Sequence, residues 1–311
     1  MLQTLIRLFL SVDFLRATIR YSTPLLGASM GEAISERAGI VNVSLEGMML
    51  FGALGGVLGA YYTEQLWIAV LCAMLAGLLL AAIQAFFSIT LAVNQVVVGI
   101  ALNIASLGAT TYISRSVFGV AESPQVTGIK PLPIPLLSKI PFVGRVLFDQ
   151  SILVYITYLL VPVVGFVLMR TEWGLKLRAV GEHPEGAASL GVGVERIRYA
   201  AVMICGLFAG LAGSFFSLVQ LNQFVEGMTG GRGFIALAVV VVGKWVPRRL
   251  AVVALIFGML DALALRAQAL ALGIPYHLLL ALPYLVTLLI YAGLVGEARP
   301  PAALAKPYIR D

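Results

Sequence analysis

The chain has 311 residues, of which 60% are hydrophobic and only 12% are charged. An ordinary soluble domain carries about 25% charged residues, and these supply its hydrated shell. This chain lacks the residues for such a shell, so the composition excludes a soluble enzyme. It predicts instead an all-α, polytopic integral membrane protein whose single domain covers residues 1–311.

Long charge-free runs support about 8–10 transmembrane segments. No Asp, Glu, Lys or Arg lies between Glu64 and Arg115, or between Arg266 and Glu297. A spanning helix needs about 20 apolar residues, so the first run alone accommodates two spans and a turn. The predicted spans lie near residues 18–35, 43–63, 66–92, 94–114, 150–169, 199–221, 233–246, 250–268 and 275–296.

The seventh of these spans is short, and a glycine-rich stretch over residues 227–233 precedes it. Irregular backbone persists at membrane depth only where protein packs around it or where it lines a cavity. The pattern therefore predicts a broken or re-entrant helix.

Two polar segments interrupt the apolar pattern. Residues 116–150 are rich in proline, which predicts an extended external loop with a short surface helix. Residues 170–198 contain five Lys and Arg residues, so the positive-inside rule places this loop in the cytoplasm. Counting spans forward also puts the basic C-terminal tail inside, and the net charge of +6 needs no nucleic acid as its partner.

The two halves of the chain give conflicting topologies. Counting backwards from Arg170 puts the N-terminus outside, whereas Arg7, Arg16 and Arg20 favour the inside. Either a segment before residue 63 is re-entrant or these three charges do not set the topology.

The sequence offers no catalytic or metal-binding motif. The nearest approach to a P-loop, at Gly243-Lys244, has Ala238 and Trp245 at required motif positions. His183 and His277 lie far apart, and Cys72 and Cys205 lie inside predicted spans without metal-ligand spacing. We therefore expect a non-enzymatic protein without a metal or a bound cofactor.

A charged segment, residues 31–47, lies between the first two spans and contains Glu32, Glu36, Arg37, Asn42 and Glu46. A solvated loop is one interpretation. Charges at membrane depth cost roughly 2.5–3.5 kcal/mol each on insertion scales, so we expect Glu36 and Arg37 to be paired or to lie at an interface. Ordering of the turn is a more economical role for them than substrate contact.

A second segment, residues 174–198, predicts a short cytoplasmic helix. Pro184 is typical of a first helical position, Glu185 suits a first turn, and Gly191 suits a helix end. Such a helix either lies on the membrane surface or docks a cytoplasmic subunit, and the spacing alone does not choose between these alternatives.

These segments resemble the permease subunits of ATP-binding-cassette importers for nucleosides and simple sugars. The resemblance rests on Glu36-Arg37-Ala-Gly39-Ile-Val-Asn42 with Leu45-Glu46-Gly47, on Asn94–Asn103, on Gly174–Glu182 and on Gly230-Gly-Arg-Gly-Phe234. It covers nearly the whole chain in the same order. Ribose and branched-chain amino-acid permeases share the fold of this superfamily but not the Glu-Arg-Ala-Gly motif.

The resemblance implies a multi-pass protein of the cytoplasmic membrane that works with several partners. These are a cytoplasmic ATPase that binds the ATP, a homologous second permease that forms a heterodimeric pore, an external substrate-binding lipoprotein and membrane lipids. It also implies that the loop at 170–198 holds the coupling helix on the ATPase. The residues implied in coupling are Gly181, Glu182, Pro184, Ala187, Ala188 and Gly191, and those of the first motif are Glu36, Arg37, Gly39, Asn42, Glu46 and Gly47.

Further polar residues lie inside predicted spans. Asn94, Gln95 and Asn103 either line a translocation path or form hydrogen bonds across helices. Asp261 is a path candidate or forms an inter-subunit or interfacial pair. Glycine stripes at Gly52, Gly56 and Gly59 and at Gly206, Gly210 and Gly213 predict close helix packing.

We therefore expect a permease subunit that moves nucleosides or related small polar solutes with ATP hydrolysed elsewhere. The alternative is a secondary transporter driven by an ion gradient, with Asp261 or Glu32 as its coupling site.

Overall fold

The computed structural model describes residues 11–120, 124–269, 285 and 299–309, and these residues are mostly helical. Two short strands, β1 (Pro131–Pro133) and β2 (Asp149–Ser151), pair in antiparallel fashion. The helices are α1 (Val12–Arg37), α2 (Leu45–Thr63), α3 (Leu66–Ala85), α4 (Gln95–Phe118), α5 (Val143–Leu147), α6 (Ile152–Arg170), α7 (Glu172–Glu182), α8 (Pro184–Ser189), α9 (Val194–Phe215), α10 (Arg232–Val242) and α11 (Pro247–Ala269). The predicted all-α class is confirmed.

Eight of the predicted spans correspond to helices, and the ninth, near 275–296, lies outside the described residues apart from residue 285. Among the described residues, five helical stretches are long and apolar enough to cross a bilayer by length and composition. They are Leu66–Thr90, Gln95–Phe118, Ile152–Arg170, Val194–Gln220 and Pro247–Gln268.

The first helix, α1, runs through the centre of the fold and is buried along most of its length. The hydroxyl of Ser11 accepts a hydrogen bond from the amide of Phe14 and caps the start of the helix. The hydroxyl groups of Thr18, Ser22 and Thr23 donate to carbonyl groups one turn earlier, so these three buried hydroxyls are satisfied inside the helix itself. This local pairing lets a polar helix occupy the core.

Glycines bring α3 and α9 into backbone contact. A β-carbon on Gly77 would lie 2.3 Å from the carbonyl oxygen of Gly206, and one on Gly210 would lie 2.3 Å from that of Ala73. A β-carbon on Gly52 of α2 would lie 2.6 Å from the α-carbon of Gly210. The predicted close packing is confirmed here, because larger side chains at these positions would separate the helices.

The predicted broken helix is also present. After α9 the chain makes a π-helical turn, Phe216–Gln220, and then a loop in which Gly227, Gly230 and Gly231 all have positive φ angles. The helix that follows, α10, has 11 residues and a length of about 16 Å, roughly half the hydrocarbon thickness of a bilayer. It is therefore a half-helix entered through a glycine loop.

The proline-rich loop is folded rather than extended. The strands β1 and β2 close it, and a 3₁₀ turn (Leu137–Lys139) and α5 lie between them. The predicted short helix therefore exists as α5.

The fold has two distinct ends. At one end, the close of α1 contacts the loop at 170–198, because a β-carbon on Gly181 would lie 2.1 Å from the carbonyl oxygen of Arg37. At the other end, Arg16 near the start of α1 forms an ion pair with Asp149, at 3.0 Å. The first residues of α1 therefore lie at the opposite end from the loop at 170–198. Helices α1 and α2 are each continuous in the structure, and the side on which the chain begins stays a prediction.

Candidate functional site

The loop at 170–198 folds into two helices. The hydroxyl of Thr171 accepts a hydrogen bond from the amide of Gly174, at 3.1 Å, and caps α7. A hydrogen bond from the Lys176 ammonium lowers the pKa of the exposed Glu172 carboxyl in the first turn of this helix. Capping and the charge pair thus stabilise the start of α7, and Leu177 and Val180 on its other face are buried in the core.

The second helix, α8, begins at Pro184 as the sequence predicts. The Nδ1 atom of His183 accepts a hydrogen bond from the amide of Gly186, at 3.0 Å, so this histidine caps the helix. Helix α8 ends at Ser189, and Gly191, with a φ of +82°, follows the helix end. Local sequence signals therefore define both limits of α8.

The six residues implied in coupling divide between two faces. Gly181, Pro184 and Ala187 are buried against the body of the protein, whereas Glu182 and Gly191 are exposed and Ala188 is half-buried. The exposed face also carries three residues outside the implied coupling set, namely Glu185, Ser189 and Leu190, and the last of these is 85% exposed.

The Glu-Arg-Ala-Gly motif forms the end of α1. The amide of Gly39 donates to the Glu36 carbonyl at 2.9 Å, and the amide of Ile40 donates to the Ser35 carbonyl at 3.1 Å. This is the Schellman arrangement, and it needs the φ of +88° that Gly39 adopts. The glycine of the motif therefore has a structural role in ending the helix.

The two charged residues of this motif have different surroundings. The carboxylate of Glu36 is buried and accepts a hydrogen bond from the indole Nε1 of Trp245, which follows α10. Arg37 is half-buried, and its Nε atom has no hydrogen-bond partner among the described residues. Glu36 is thus paired as expected, but with a tryptophan.

Asn42 connects three helices. Its backbone amide donates to the carboxylate of Glu32 on α1 at 2.9 Å, and its side-chain oxygen accepts from the hydroxyl of Ser44 at 2.6 Å. Its side-chain nitrogen lies 3.3 Å from the sulfur of Met48 and 3.5 Å from that of Cys205. Glu32 and Asn42 are fully buried, so this cluster holds the turn between α1 and α2 against α9.

Glu46 joins the first motif to the glycine-rich motif. Its Oε1 atom accepts hydrogen bonds from the hydroxyl of Thr229 at 2.6 Å and from the amide of Gly231 at 2.8 Å. Its Oε2 atom accepts from the amide of Gly233 at 2.6 Å. The carboxylate therefore accepts hydrogen bonds from backbone amides that have no partner within α10, and its negative charge offsets the positive end of the dipole of α10.

Close approach explains the glycines next to this contact. A β-carbon on Gly233 would lie 2.4 Å from the amide nitrogen of Glu46, and one on Gly47 would lie 2.5 Å from the hydroxyl of Ser106. Both positions exclude a side chain, because the start of α2 lies directly against α10 and α4.

The three predicted path residues of α4, namely Asn94, Gln95 and Asn103, form hydrogen bonds within the fold. Asn94 caps α4 by accepting from the amides of Val96 and Val97, and the side-chain oxygen of Gln95 accepts from the amide of Val41 at 2.8 Å. Asn103 accepts from the amide of Gly47 and donates to the carbonyl of Val43, both at 2.8 Å. Gln95 and Asn103 thus bond across elements, and their role in a path stays a prediction.

Asp261 on α11 faces Arg232 at the start of α10. The Nε atom of Arg232 lies 3.4 Å from the Oδ2 atom of Asp261, and the two side chains are 25% and 14% exposed. The same guanidinium lies 5.4 Å from the ring centroid of Phe216. Arg266, the nearest cation in sequence, instead donates to Ser11. The partner of Asp261 is therefore a residue of the glycine-rich motif.

Sequence reasoning missed one further residue, Arg198. It is 1% exposed, and its guanidinium donates to the carbonyls of Ala38 and Lys306 at 3.2 and 3.3 Å. In the sequence it counts only as one of several loop charges, so no local signal distinguishes it from its exposed neighbour Arg196.

A family model described as the permease component of branched-chain amino acid transport systems matches residues 14–291. The match covers almost the whole of the helical fold described above. The chain belongs to this permease family.

Named relatives extend this assignment. The permease is 37% identical to the guanosine ABC transporter permease protein NupQ of Bacillus subtilis, over 94% of this chain and 95% of the relative. It is 27% identical to NupP, a second guanosine permease protein of that organism, over 76% of this chain and 69% of the relative. It is 43% identical to a Haloferax volcanii protein, TsgC13, provisionally named as a glucose ABC transporter permease, over 85% of this chain and 80% of the relative.

The fold of the permease also resembles a solved structure. This is one chain of an inward-facing ABC transporter, provisionally of the metal-chelate type, with a TM-score of 0.52 and 16% identity. The alignment covers 92% of the permease and 88% of that chain. At this identity the likeness concerns the helical fold alone.

Proposed function

We propose that this permease is one of two membrane subunits of an ATP-binding-cassette importer that carries nucleosides or related small polar solutes. Simple sugars are the next substrate class. The relatives named for guanosine and glucose support both classes, because they align over most of their lengths. In this proposal a separate cytoplasmic subunit binds and hydrolyses ATP, and the permease holds no cofactor.

The observation that carries the proposal is the form of α8. This helix has six residues, with Pro184 and Ala187 buried on one side and Glu185 and Ser189 exposed on the other, and the exposed Leu190 follows its end. A cavity of about 270 Å³ opens beside it between Ala188 and Tyr308. A helix this short that presents an apolar tip next to an open cavity is suited to receive a partner subunit.

The side of the membrane follows from the same proposal. If α8 docks on a cytoplasmic ATPase, the loop at 170–198 is cytoplasmic, as its basic residues favour. The described part of the C-terminal segment is then cytoplasmic too, because the amide of Ala303 donates to the carbonyl of Gly181 at 2.9 Å. The start of α1 and the folded loop with β1 and β2 lie outside, where a substrate-binding lipoprotein docks.

A second permease completes the pore. Helix α4 is largely exposed in the single chain, with Val97, Ile100 and Ile104 each at least 49% exposed. Lipid or another permease covers such a surface in a membrane. The two guanosine permease proteins of Bacillus subtilis support a pore formed by two different chains.

The candidate translocation path lies near the start of α10. Of the four predicted path residues, Asp261 offers the most specific geometry, because it pairs with Arg232 where the half-helix begins. Charged residues at membrane depth are costly and usually mark a solute route or an internal pair. We place the path at this pair, with Asn94, Gln95 and Asn103 supporting α4 alongside it.

Co-purification with the neighbouring subunits tests the proposal. The tagged permease, co-expressed with its ATPase, second permease and binding protein, should purify as a complex that takes up a radiolabelled nucleoside into vesicles only when ATP is supplied. Combining Glu182→Arg with Ala188→Trp on α7 and α8 should remove the ATPase from the complex while the chain still inserts into the membrane.

The same vesicles distinguish the alternative mechanism. Uptake driven by an ion gradient, with the permease alone and without ATP, would favour a secondary transporter. Normal co-purification of the ATPase with the Glu182→Arg, Ala188→Trp double variant would contradict docking through α8.

A further inference from the structure

The C-terminal segment, residues 299–309, lies between two parts of the fold that are far apart in sequence. We call this segment the strap. The amide of Ala303 donates to the carbonyl of Gly181 at the end of α7, at 2.9 Å, and the amide of Ala305 donates to the carbonyl of Gly39, at 3.1 Å. The strap therefore links the coupling loop to the turn that ends α1.

Arg198 forms hydrogen bonds with both the strap and the turn that ends α1, which we call the α1 turn. Its Nε atom donates to the carbonyl of Ala38 in the α1 turn, and its Nη1 atom donates to the carbonyl of Lys306 in the strap. A buried cation that loses its hydrogen-bonding partners is strongly unfavourable. Arg198 at the base of α9 thus holds the strap and the α1 turn at a fixed separation.

Tyr308 connects the strap to α8. Its ring centroid lies 5.9 Å from the Arg198 guanidinium, and its side chain packs against Val180, Ala187 and Val194. Ala187 is on the buried side of α8, so the tyrosine lies beneath the helix that faces the ATPase in the proposed complex.

The α1 turn connects in its own right to the half-helix. Glu36, one turn before Gly39, accepts a hydrogen bond from Trp245, which lies three residues after the end of α10. A continuous set of packed residues and hydrogen bonds therefore runs from α8 through Tyr308, Arg198 and the end of α1 to α10.

We propose that the strap is a positioning element of the transport cycle, in which Tyr308 and Arg198 transmit the displacement of α8 to α1. This inference rests on the proposed function. Helix α8 has six residues and little core of its own, so a movement imposed by the ATPase reaches the membrane helices through the chain connections to α7 and α9 and through what packs beneath α8. Removing the Tyr308 ring leaves α8 attached to α7 and α9 but removes its packed contact with the strap and with Arg198, which binds the α1 turn.

The experiment compares Tyr308→Ala, Tyr308→Phe and Ile309→Ala in the complete reconstituted transporter. Ile309 is 75% exposed in the same strap and serves as the matched control. ATP hydrolysis and solute uptake are measured in the same vesicles. Tyr308→Ala should retain its ATPase subunit and hydrolyse ATP, while uptake per ATP falls on the order of tenfold. Tyr308→Phe and Ile309→Ala should match the unmodified complex.

An unchanged uptake per ATP in Tyr308→Ala would overturn the inference, whether hydrolysis and uptake both stay at the unmodified level or both fall in proportion. If Tyr308→Ala fails to assemble, Tyr308→Leu, which retains most of the apolar packing, is judged by the same ratio. An unmodified complex that lacks ATP-dependent uptake would instead contradict the proposed function, so the two failures are distinguishable.

Discussion

The carboxylate of Glu46, at the start of α2, accepts a hydrogen bond from the amide of Gly233, at the start of α10, at 2.6 Å. The two residues are 187 positions apart in the chain. The same carboxylate accepts from Gly231 and Thr229. A side chain on α2 thus performs the capping that a local Ser, Thr or Asp usually provides, and it fixes where the half-helix begins.

Glu46→Ala should therefore destabilise the permease more than a typical carboxylate substitution. It leaves at least one buried amide without a partner, at a cost of about 1–3 kcal/mol. The measurement is the unfolding midpoint of the detergent-purified chain. Glu64→Ala, an exposed carboxylate at the other end of the same helix, is the control and should leave the midpoint almost unchanged. Equal shifts for the two variants would contradict the capping role.

Leu190→Asp should weaken ATPase binding without affecting the permease fold. Leu190 is 85% exposed next to α8, so a carboxylate there disturbs no internal packing. The proposed interface, however, would have to desolvate a charge. Co-purification of the ATPase, quantified against the permease, gives the readout. Leu136→Asp is the matched control, because Leu136 is 79% exposed but lies in the folded loop at the opposite end of the protein. If both variants retain the ATPase equally, α8 is not the docking helix.

Gly210→Ala should be far more disruptive than Gly108→Ala. A β-carbon at Gly210 would lie 2.3 Å from the backbone oxygen of Ala73, whereas one at Gly108 would meet no described atom within 4 Å. Adding one methyl group to a filled contact costs about 1–3 kcal/mol. In an exposed helix interior alanine is favoured over glycine by up to about 1 kcal/mol. We expect a lower unfolding midpoint for the first variant and an unchanged or raised midpoint for the second. The opposite order would contradict the packing of α3 on α9.

The sequence predicts those features of the permease that depend on neighbouring residues. Apolar runs between charges gave helices close to their observed limits, and Pro184 with Gly191 gave both limits of α8. Insertion into a bilayer makes such runs informative, since a long apolar segment has little alternative to a helix.

Partners distant in the chain were not predictable in this way. In the sequence, Arg198 has the same residue type and the same loop as its exposed neighbour Arg196. Only the folded chain shows that Arg198 is buried between Ala38 and Lys306. The link between Glu36 and Trp245 similarly joins residues 209 positions apart. Helical periodicity assigns a face to each residue but does not say which other segment covers that face.

The ion pair between Arg232 and Asp261 provides a test of the proposed path. Asp261→Asn and Arg232→Gln each leave a partly buried charge without its partner, and the double variant removes both charges together. The unfolding midpoints should therefore be non-additive, with a coupling free energy of about 0.5–3 kcal/mol and the double variant more stable than the sum of the single effects predicts.

Transport by the same variants separates packing from solute handling. If the pair only stabilises the start of α10, the double variant should recover nucleoside uptake together with stability. If the pair lines the path, as we propose, uptake should stay low in the double variant although its midpoint recovers, because the solute then meets neutral amides in place of the charges. Additive midpoints would show that the two charges do not interact, and full recovery of uptake would move the path away from Asp261.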